Sequence, residues 1–355
     1  MAEQVRIIVC GFGRVGRSFA RLLEAKAETL ARDYGLEIQL HGVGELEGSV
    51  ISPKGLAPAA LADYFETHGG LGGHPEGGRP EWKGIDLIRE AGAGLLVETT
   101  PTDIRTGEPA LTHIRTALGR GMHVVSANKG PFIRHYRTLQ AFARDNGAAL
   151  RLSAAAAAAL PTLDVAQTCL AGAEILAIEG VLNGTSNYIL TEMRKSGRSY
   201  GEALSEAQRL GIAETDPTLD VEGHDTANKL ALIANVCMGA DLLPEQVGRT
   251  GISGLTAEEV HAAGEEGRIF RLVGRAERGP DGAVRARVAP MGLPRDHPLA
   301  AVDGAEKGIT YTTDTMGRVT VVGGKSDPKG AAAALLKDIL NIHRAPGAAR
   351  SGRYS

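Results

Sequence analysis

Residues 5–10, Val-Arg-Ile-Ile-Val-Cys, run straight into Gly11-Phe-Gly13-Arg-Val-Gly16, and residues 17–32 then take up helical periodicity. The β-branched run reads as a buried strand. A glycine triplet between a strand and a helix restricts the fold more than any other feature of the chain. Gly11 permits a tight turn, Gly13 lets backbone approach a pyrophosphate, and Gly16 lets the helix pack on the strand. The helix N-terminus offers unpaired N–H groups to the phosphates. Spacing alone is weak, and a glycine turn without ligand is the bland alternative; the strand–turn–helix context favours a dinucleotide site.

The same alternation continues to about residue 150. Strands expected at 37–43, 95–98, 123–126 and 149–152 alternate with helices at 57–67, 109–119 and 132–146. This predicts a parallel sheet with helices on both faces. Glu45 stands just past the second strand, where an acid holds the ribose of NAD and repels the 2′-phosphate of NADP. Lys54 is close enough in sequence to answer such a phosphate, so both cofactors stay open. Ligands in open α/β sheets meet the carboxyl ends of strands. Thr99, Thr100, Asn128 and Lys129 fall there, and with Phe12, Arg14 and Val15 of the turn they complete the expected cofactor contacts. Residues 69–78 are glycine-rich without a phosphate-loop lysine, and read as an exposed linker.

From residue 153 the pattern changes. Ala154 to Ala159 form a continuous run closed by Leu160-Pro161. Alanine favours helix, whereas Pro161 pushes Leu160 toward extended geometry. Such small side chains suit close approach of a ligand or another element. A helix at 163–170 and a strand at 175–182 follow, and Asn183-Gly-Thr-Ser-Asn187 is a turn that caps the next helix. Gly184 and Thr185 of that turn could also present backbone and hydroxyl to a substrate. Strand-like runs at 269–278, 284–290, 309–313 and 318–322 alternate polar and apolar residues, so the second half should carry a mixed or antiparallel sheet. A last helix is expected at 329–342.

Residues 210–230, LGIAETDPTLDVEGHDTANKL, gather Glu214, Asp216, Asp220, Glu222, Asp225 and Lys229. Pro217 keeps Asp216 out of helix, so the first half should be a loop. Asp225 and Lys229 lie four apart on one face of the helix that follows. An acidic helix start with one ion pair is the bland reading. The number of carboxylates around a single lysine points instead to a site where acids hold an amine and the lysine moves a proton.

Composition narrows the remaining classes. The chain has 355 residues, enough for two domains, and a formal net charge of -3 with its lysines and arginines dispersed. That gives no footprint for nucleic acid or a membrane surface. Cys10, Cys169 and Cys237 are far apart and read as buried small hydrophobes in a reducing compartment. No apolar run approaches ~18 residues. A cytoplasmic enzyme with a small-molecule substrate is the expectation.

Together GFGRVG, VETTPTDIRTGEP, ALGRGMHVVSANKGP, EGVLNGTSNYIL and LGIAETDPTLDVEGHDTANKL resemble homoserine dehydrogenases, in the family's order and over most of residues 5–240. The last two runs are far more specific than the glycine motif. The resemblance implies an α/β fold: a Rossmann-type parallel-sheet domain over 1–152, and an α+β substrate and dimerisation domain with a mixed sheet over 153–325. It also implies a C-terminal helix over 326–343 returning to the first domain, with a flexible tail over 344–355. A regulatory ACT domain is not expected in a chain of this length. By the same resemblance, Lys229 is the general acid/base, Lys129 assists, and Glu214, Asp220 and Asp225 hold the substrate amine and orient the lysine. Gly184 and Thr185 contact substrate. NAD or NADP is the implied cofactor. The implied reaction interconverts L-aspartate 4-semialdehyde and L-homoserine, a step of threonine and methionine biosynthesis. The implied assembly is a homodimer, with a tetramer as the alternative.

The chain departs from that pattern at two places. Ser153 stands where the family usually has Glu, and alanine replaces the glycine-containing run before Leu160-Pro161. No metal is expected, because a monovalent-cation site that several members build with that Glu would not carry over. The stretch from Gly323 to Gly330 is also altered. These departures keep two other readings in play: a paralogue acting on another small amino- or hydroxy-carbonyl compound, and a non-catalytic NAD(P)-binding sensor.

Overall fold

In the computed structural model, which describes residues 2–324 and 327–343, the chain divides into two compact units. The flexible tail expected over 344–355 lies outside the described residues. The first unit takes residues up to 131, 137–155 and the chain from 331 onward; the second takes 132–136 and 156–330.

The first unit is built on seven strands: β1 (Glu3–Cys10), β2 (Leu36–Glu45), β3 (Gly48–Ile51), β4 (Gly78–Arg79), β5 (Leu95–Glu98), β6 (His123–Ser126) and β7 (Leu150–Arg151). Their order is β4-β3-β2-β1-β5-β6-β7. From β2 to β7 every pairing is parallel, whereas β3 and β4 add antiparallel strands at one edge. Ile7, Ile8, Val9 and Cys10 are fully buried, as a central strand covered on both faces requires. The chain leaves β1 for β2 on one side and later returns to β5 on the other. The ends of β1 and β5 therefore flank the switch point where such sheets bind ligands. The helix Pro328–His343 contributes Ala332, Leu335, Leu336 and Ile339 to the same core as Val5, Ile7 and Val9. Its fully buried Asp338 accepts the Ser153 N–H at 2.9 Å and the Ser153 hydroxyl at 2.7 Å.

Two expectations are corrected here. The strand expected at 37–43 is longer and turns back through Leu46-Glu47 into β3, a partner too short to show periodicity. Residues 69–78 are not an exposed linker. Leu71 is fully buried, and a Cβ on Gly77 would sit 2.0 Å from the Ile51 carbonyl oxygen, so the glycines are there for backbone packing.

The second unit carries β8 (Ile175–Val181), β9 (Gly248–Arg249), β10 (Arg268–Arg278), β11 (Val284–Pro294), β12 (Lys307–Thr313) and β13 (Arg318–Gly323), in the order β13-β12-β8-β10-β11-β9. All neighbours are antiparallel except β11 and β9, so the sheet is mixed, as the alternation predicts. A helix over Tyr200–Arg209 escaped the periodicity reading. Its signal is local: Ser199 and Glu202 form a reciprocal capping box. The cysteines are also corrected. Cys10 is buried, but Cys237 is partly exposed and Cys169 exposed, because Cys169 ends a short surface helical turn.

The alanine run resolves into a helix over Ser153–Ala157, broken by Ala158 at φ +54°. Among the described residues Ala158 is the only non-glycine at positive φ. An L side chain is strained there, so Ala158→Gly should stabilise the protein by about 0.5–1 kcal/mol, against the flexibility glycine adds to the unfolded chain. Urea unfolding midpoints of the two proteins check this.

Candidate functional site

In the first unit each glycine of the motif has a separate job. Gly11 has φ +87°, and a Cβ there would lie 2.5 Å from the Thr100 nitrogen. A Cβ on Gly16 would lie 2.4 Å from the Gly11 oxygen, so this glycine lets the helix Arg14–Ala25 sit against the turn. Gly13 is exposed and its Cβ would meet nothing within 4 Å, which leaves its backbone open to a ligand. That helix has no side-chain cap at Gly13, so its first N–H groups face outward unclaimed by a capping side chain. Arg14 is exposed and Val15 half-buried beside them. Phe12 is different: its ring is fully buried edge-on to Phe65, 5.7 Å between centroids, so only its backbone can take part.

The Glu45 carboxylate, at the end of β2, accepts the Phe12 N–H. Lys54 is exposed on the turn after β3. Thr99 donates its hydroxyl to the Gly11 oxygen at 2.6 Å, joining the turns after β5 and β1. The buried Asn128 donates to the Thr100 and Pro101 carbonyls, both at 3.0 Å, and accepts the Gly130 N–H at 3.0 Å. It thereby ties the loop after β6 to the loop after β5. Lys129 is half-buried at the start of the helix Gly130–Asp145. Beneath the turn, Glu98 accepts the Thr100 N–H at 2.8 Å and meets His113 Nδ1 at 2.9 Å, so its carboxylate anchors the threonine loop. Burial, then the Glu98 and Glu45 charges, push the nearby Cys10 thiol well up.

In the second unit, Asn183, Gly184, Thr185, Glu214, Asp220, Asp225 and Lys229 line one pocket of about 690 Å³. The corner at Gly223, φ +76°, places the short helix Thr218–Val221 beside the start of the helix His224–Cys237. Asp220 and Asp225 are thus brought onto one side group: Asn183 Nδ2 donates to Asp220 at 2.6 Å and to Asp225 at 3.0 Å. The same asparagine accepts the Ser186 N–H at 2.9 Å, so it caps the helix Gly184–Ser196 while clamping the two acids. Lys229 donates to Asp225 at 2.5 Å and to the Leu182 carbonyl at 3.0 Å. The i,i+4 pair expected from sequence is therefore present and largely shielded from solvent. Burial pushes the Asp220 carboxyl up, the Asn183 bond opposes this, and the Asp225 charge adds to it. Glu214 is exposed at the rim, and Thr185 donates to the Ile212 carbonyl at 3.0 Å. Gly184 lies against the Ala305 carbonyl, 2.7 Å from where a Cβ would be.

Two acids of the 210–230 stretch do other work. Asp216 accepts from the Thr218 N–H and hydroxyl, and Glu222 accepts the Ser253 hydroxyl at 2.5 Å. Conversely, sequence reasoning missed Asn183, Asp327 and Lys307. Asn183 carries a signal, the cap of an NGTSN turn, but the clamp on Asp220 and Asp225 depends on contacts 37 and 42 residues away. Asp327 reaches the pocket from the loop before the last helix, with no local motif. Lys307 begins β12 and looks like any strand-end lysine, yet it is 1 % exposed.

Chemically, the described walls of the pocket offer five carboxylates and one lysine, which suits a small substrate carrying an ammonium group. A lysine bonded to an acid in such a pocket is placed to give or take a proton. Among the described residues, no helix is long and apolar enough to cross a membrane.

Comparison with known proteins agrees with this chemistry. The homoserine dehydrogenase family model matches residues 161–340. The NAD(+)-dependent homoserine dehydrogenase of Pseudomonas canavaninivorans is 38% identical over 342 residues, covering 96% of this chain and 97% of that protein. The homoserine dehydrogenase of Methanocaldococcus jannaschii is 39% identical over 337 residues, covering 95% and 98%. A hyperthermophilic archaeal homoserine dehydrogenase solved in complex with NADPH superimposes with a TM-score of 0.81 at 26% identity, covering 96% of this chain and 97% of that one. The chain belongs to the homoserine dehydrogenase family.

Proposed function

We propose that the protein is an NAD(P)-dependent homoserine dehydrogenase that interconverts L-aspartate 4-semialdehyde and L-homoserine. The observation that carries this reading is the Lys229–Asp225 pair, set in a pocket whose remaining walls are rich in carboxylate. Glu214 and Asp220 hold the substrate ammonium, and Gly184 and Thr185 line its path. Asp225 orients Lys229, whose amine takes the hydroxyl proton in one direction and returns it to the alkoxide in the other. Lys129, after β6, is the second lysine assigned to the chemistry.

The glycine turn fits a dinucleotide: Gly13 is open where a pyrophosphate would lie, and the helix behind it is uncapped. Phe12, Arg14, Val15, Thr99, Thr100 and Asn128 are the other residues assigned to the cofactor. When bound, the nicotinamide supplies or accepts the hydride. Glu45 favours NAD over NADP, since an acid at that place binds a ribose diol and repels a phosphate. Glu45→Ala should accordingly shift the ratio of kcat/KM for NADP over NAD upward by roughly tenfold. Steady-state rates with each cofactor check it; an unchanged ratio assigns discrimination to another residue.

We place the cofactor domain at 1–152 and the substrate and dimerisation domain at 153–325, with the 326–343 helix returning to the former. The enzyme is assigned to the cytoplasm, as a homodimer, in the route to threonine and methionine. A paralogue with a different small amino- or hydroxy-carbonyl substrate is the second reading, favoured by the strained alanine at 158 beside a run of methyl groups. Initial rates of NADH and NADPH formation from L-homoserine, L-serine and L-threonine separate the two. Turnover of homoserine above the others supports the first, and turnover of another member alone supports the second.

A further inference from the structure

Lys307 is a lysine with almost no solvent contact, in the unit that holds the carboxylate pocket. Burying an ammonium is costly unless it is paired, so its surroundings need a reason. Its Nζ donates to the Ala157 carbonyl at 2.6 Å, at the end of the alanine helix and next to the strained Ala158. Its two predecessors, Ala305 and Glu306, line the pocket. Among the described residues three charged groups act on it electrostatically: Lys229 and Asp225 from the helix His224–Cys237, and Asp327 from the loop before the last helix. Nothing titratable faces it from the alanine run. Among the described residues both Lys229 and Lys307 therefore act on Asp225, and of these two lysines it is Lys229 that bonds to it directly.

We propose that Lys307 is a positioning residue for the reaction. Its bond to Ala157 holds the turn after the alanine helix, and its charge, facing Lys229 and Asp225, keeps that centre short of one proton. This rests on the homoserine dehydrogenase reading, and it adds a residue that acts through Lys229 without touching substrate. Repulsion between two ammoniums in a poorly solvated site disfavours charging both. In the folded protein burial pulls Lys307 down to about 7; the Lys229 charge adds to this, while Asp225 and Asp327 oppose it. Near neutrality the pair thus exchanges a proton with solvent at Lys307, leaving the Lys229 amine–carboxylate contact as the one that meets substrate. The tether and the charge are separable: a neutral amine still donates to Ala157.

The test is the pH profile of homoserine oxidation by the intact enzyme and by Lys307→Met, which keeps the length and removes both the charge and the donor to Ala157. The wild-type kcat/KM should bend near pH 7. In Lys307→Met that bend should move by about one unit or more, and kcat should fall roughly 10–100-fold with the KM for dinucleotide unchanged. A merely structural lysine would leave the bend where it is. Wild-type profile and wild-type kcat in Lys307→Met would overturn the proposal, as would a wild-type profile without a bend between pH 6 and 8. If the methionine variant does not fold, Lys307→Ala assayed with added methylammonium replaces it. Recovery of activity by methylammonium, and none by tetramethylammonium, supports the proposal, and no recovery overturns it.

A second readout does not need the substrate. In protein labelled with ¹⁵N-lysine, one Nζ should titrate near pH 7 and vanish in Lys307→Met. A wild-type enzyme inactive on homoserine with those NMR results would sink the assigned substrate and keep the two-lysine coupling. An active enzyme with no lysine titrating near pH 7 would do the reverse.

Discussion

Lys229→Met is expected to lower kcat for homoserine oxidation by about 10³-fold while leaving dinucleotide affinity unchanged. The argument is local. Among the described residues Lys229 is the only lysine on the pocket wall, it is bonded to Asp225, and its other contact is a backbone carbonyl that cannot accept or release a proton. Methionine keeps the stem packed along the helix and removes only the amine, so the loss falls on the chemical step. Stopped-flow or steady-state kcat, together with calorimetric Kd for NADH, separates the two quantities. A loss of dinucleotide affinity as large as the loss of kcat would place Lys229 in the cofactor site instead.

Gly11→Ala should reduce dinucleotide affinity by at least ~100-fold, through the protein and not through the ligand. A Cβ there would approach the Thr100 nitrogen to 2.5 Å and the Thr99 carbonyl carbon to 2.6 Å, and the residue sits at φ +87°. Both contacts are backbone, so the loops after β1 and β5 must part to admit it, which breaks the Thr99–Gly11 bond. Gly13→Ala is the informative companion. Its Cβ meets nothing in the protein, so the unliganded fold should melt as wild type does while affinity still falls. Equal thermal destabilisation of the two variants would show that Gly13 is not the position left open for the ligand. Calorimetric titration with NADH, beside thermal melts of the unliganded proteins, gives both readings.

Much of this was legible in the chain because it is local. The GFGRVG turn, the strands ending at Glu98 and Ser126, and the Asp225–Lys229 spacing each depend on neighbours within a few residues. The alternation of the later strands was enough to foresee a mixed sheet. What escaped is long-range or backbone-driven. The packed glycines at 77 and 78 look identical in sequence to a flexible loop, and only the close approach of Ile51 and Gly72 shows otherwise. The alanine run held two opposed preferences, and helix won as far as Ala157 before the chain turned through positive φ toward Pro161. Asn183 was readable as a cap but not as the clamp between Asp220 and Asp225. Lys307 had no sequence signal at all, since its burial is set by β12 and the alanine helix together.

The central claim is that the carboxylates around Lys229 select a substrate by its ammonium group. The most direct measurement compares kcat/KM for L-homoserine with that for 4-hydroxybutyrate, which keeps the reacting alcohol and the carboxylate and lacks only the amine. Leaving the acids of the pocket without their cationic partner should cost at least ~100-fold in kcat/KM. A ratio of that size in favour of homoserine is the predicted result. Comparable rates on the two alcohols would contradict it, and would leave Glu214 and Asp220 without the role assigned to them.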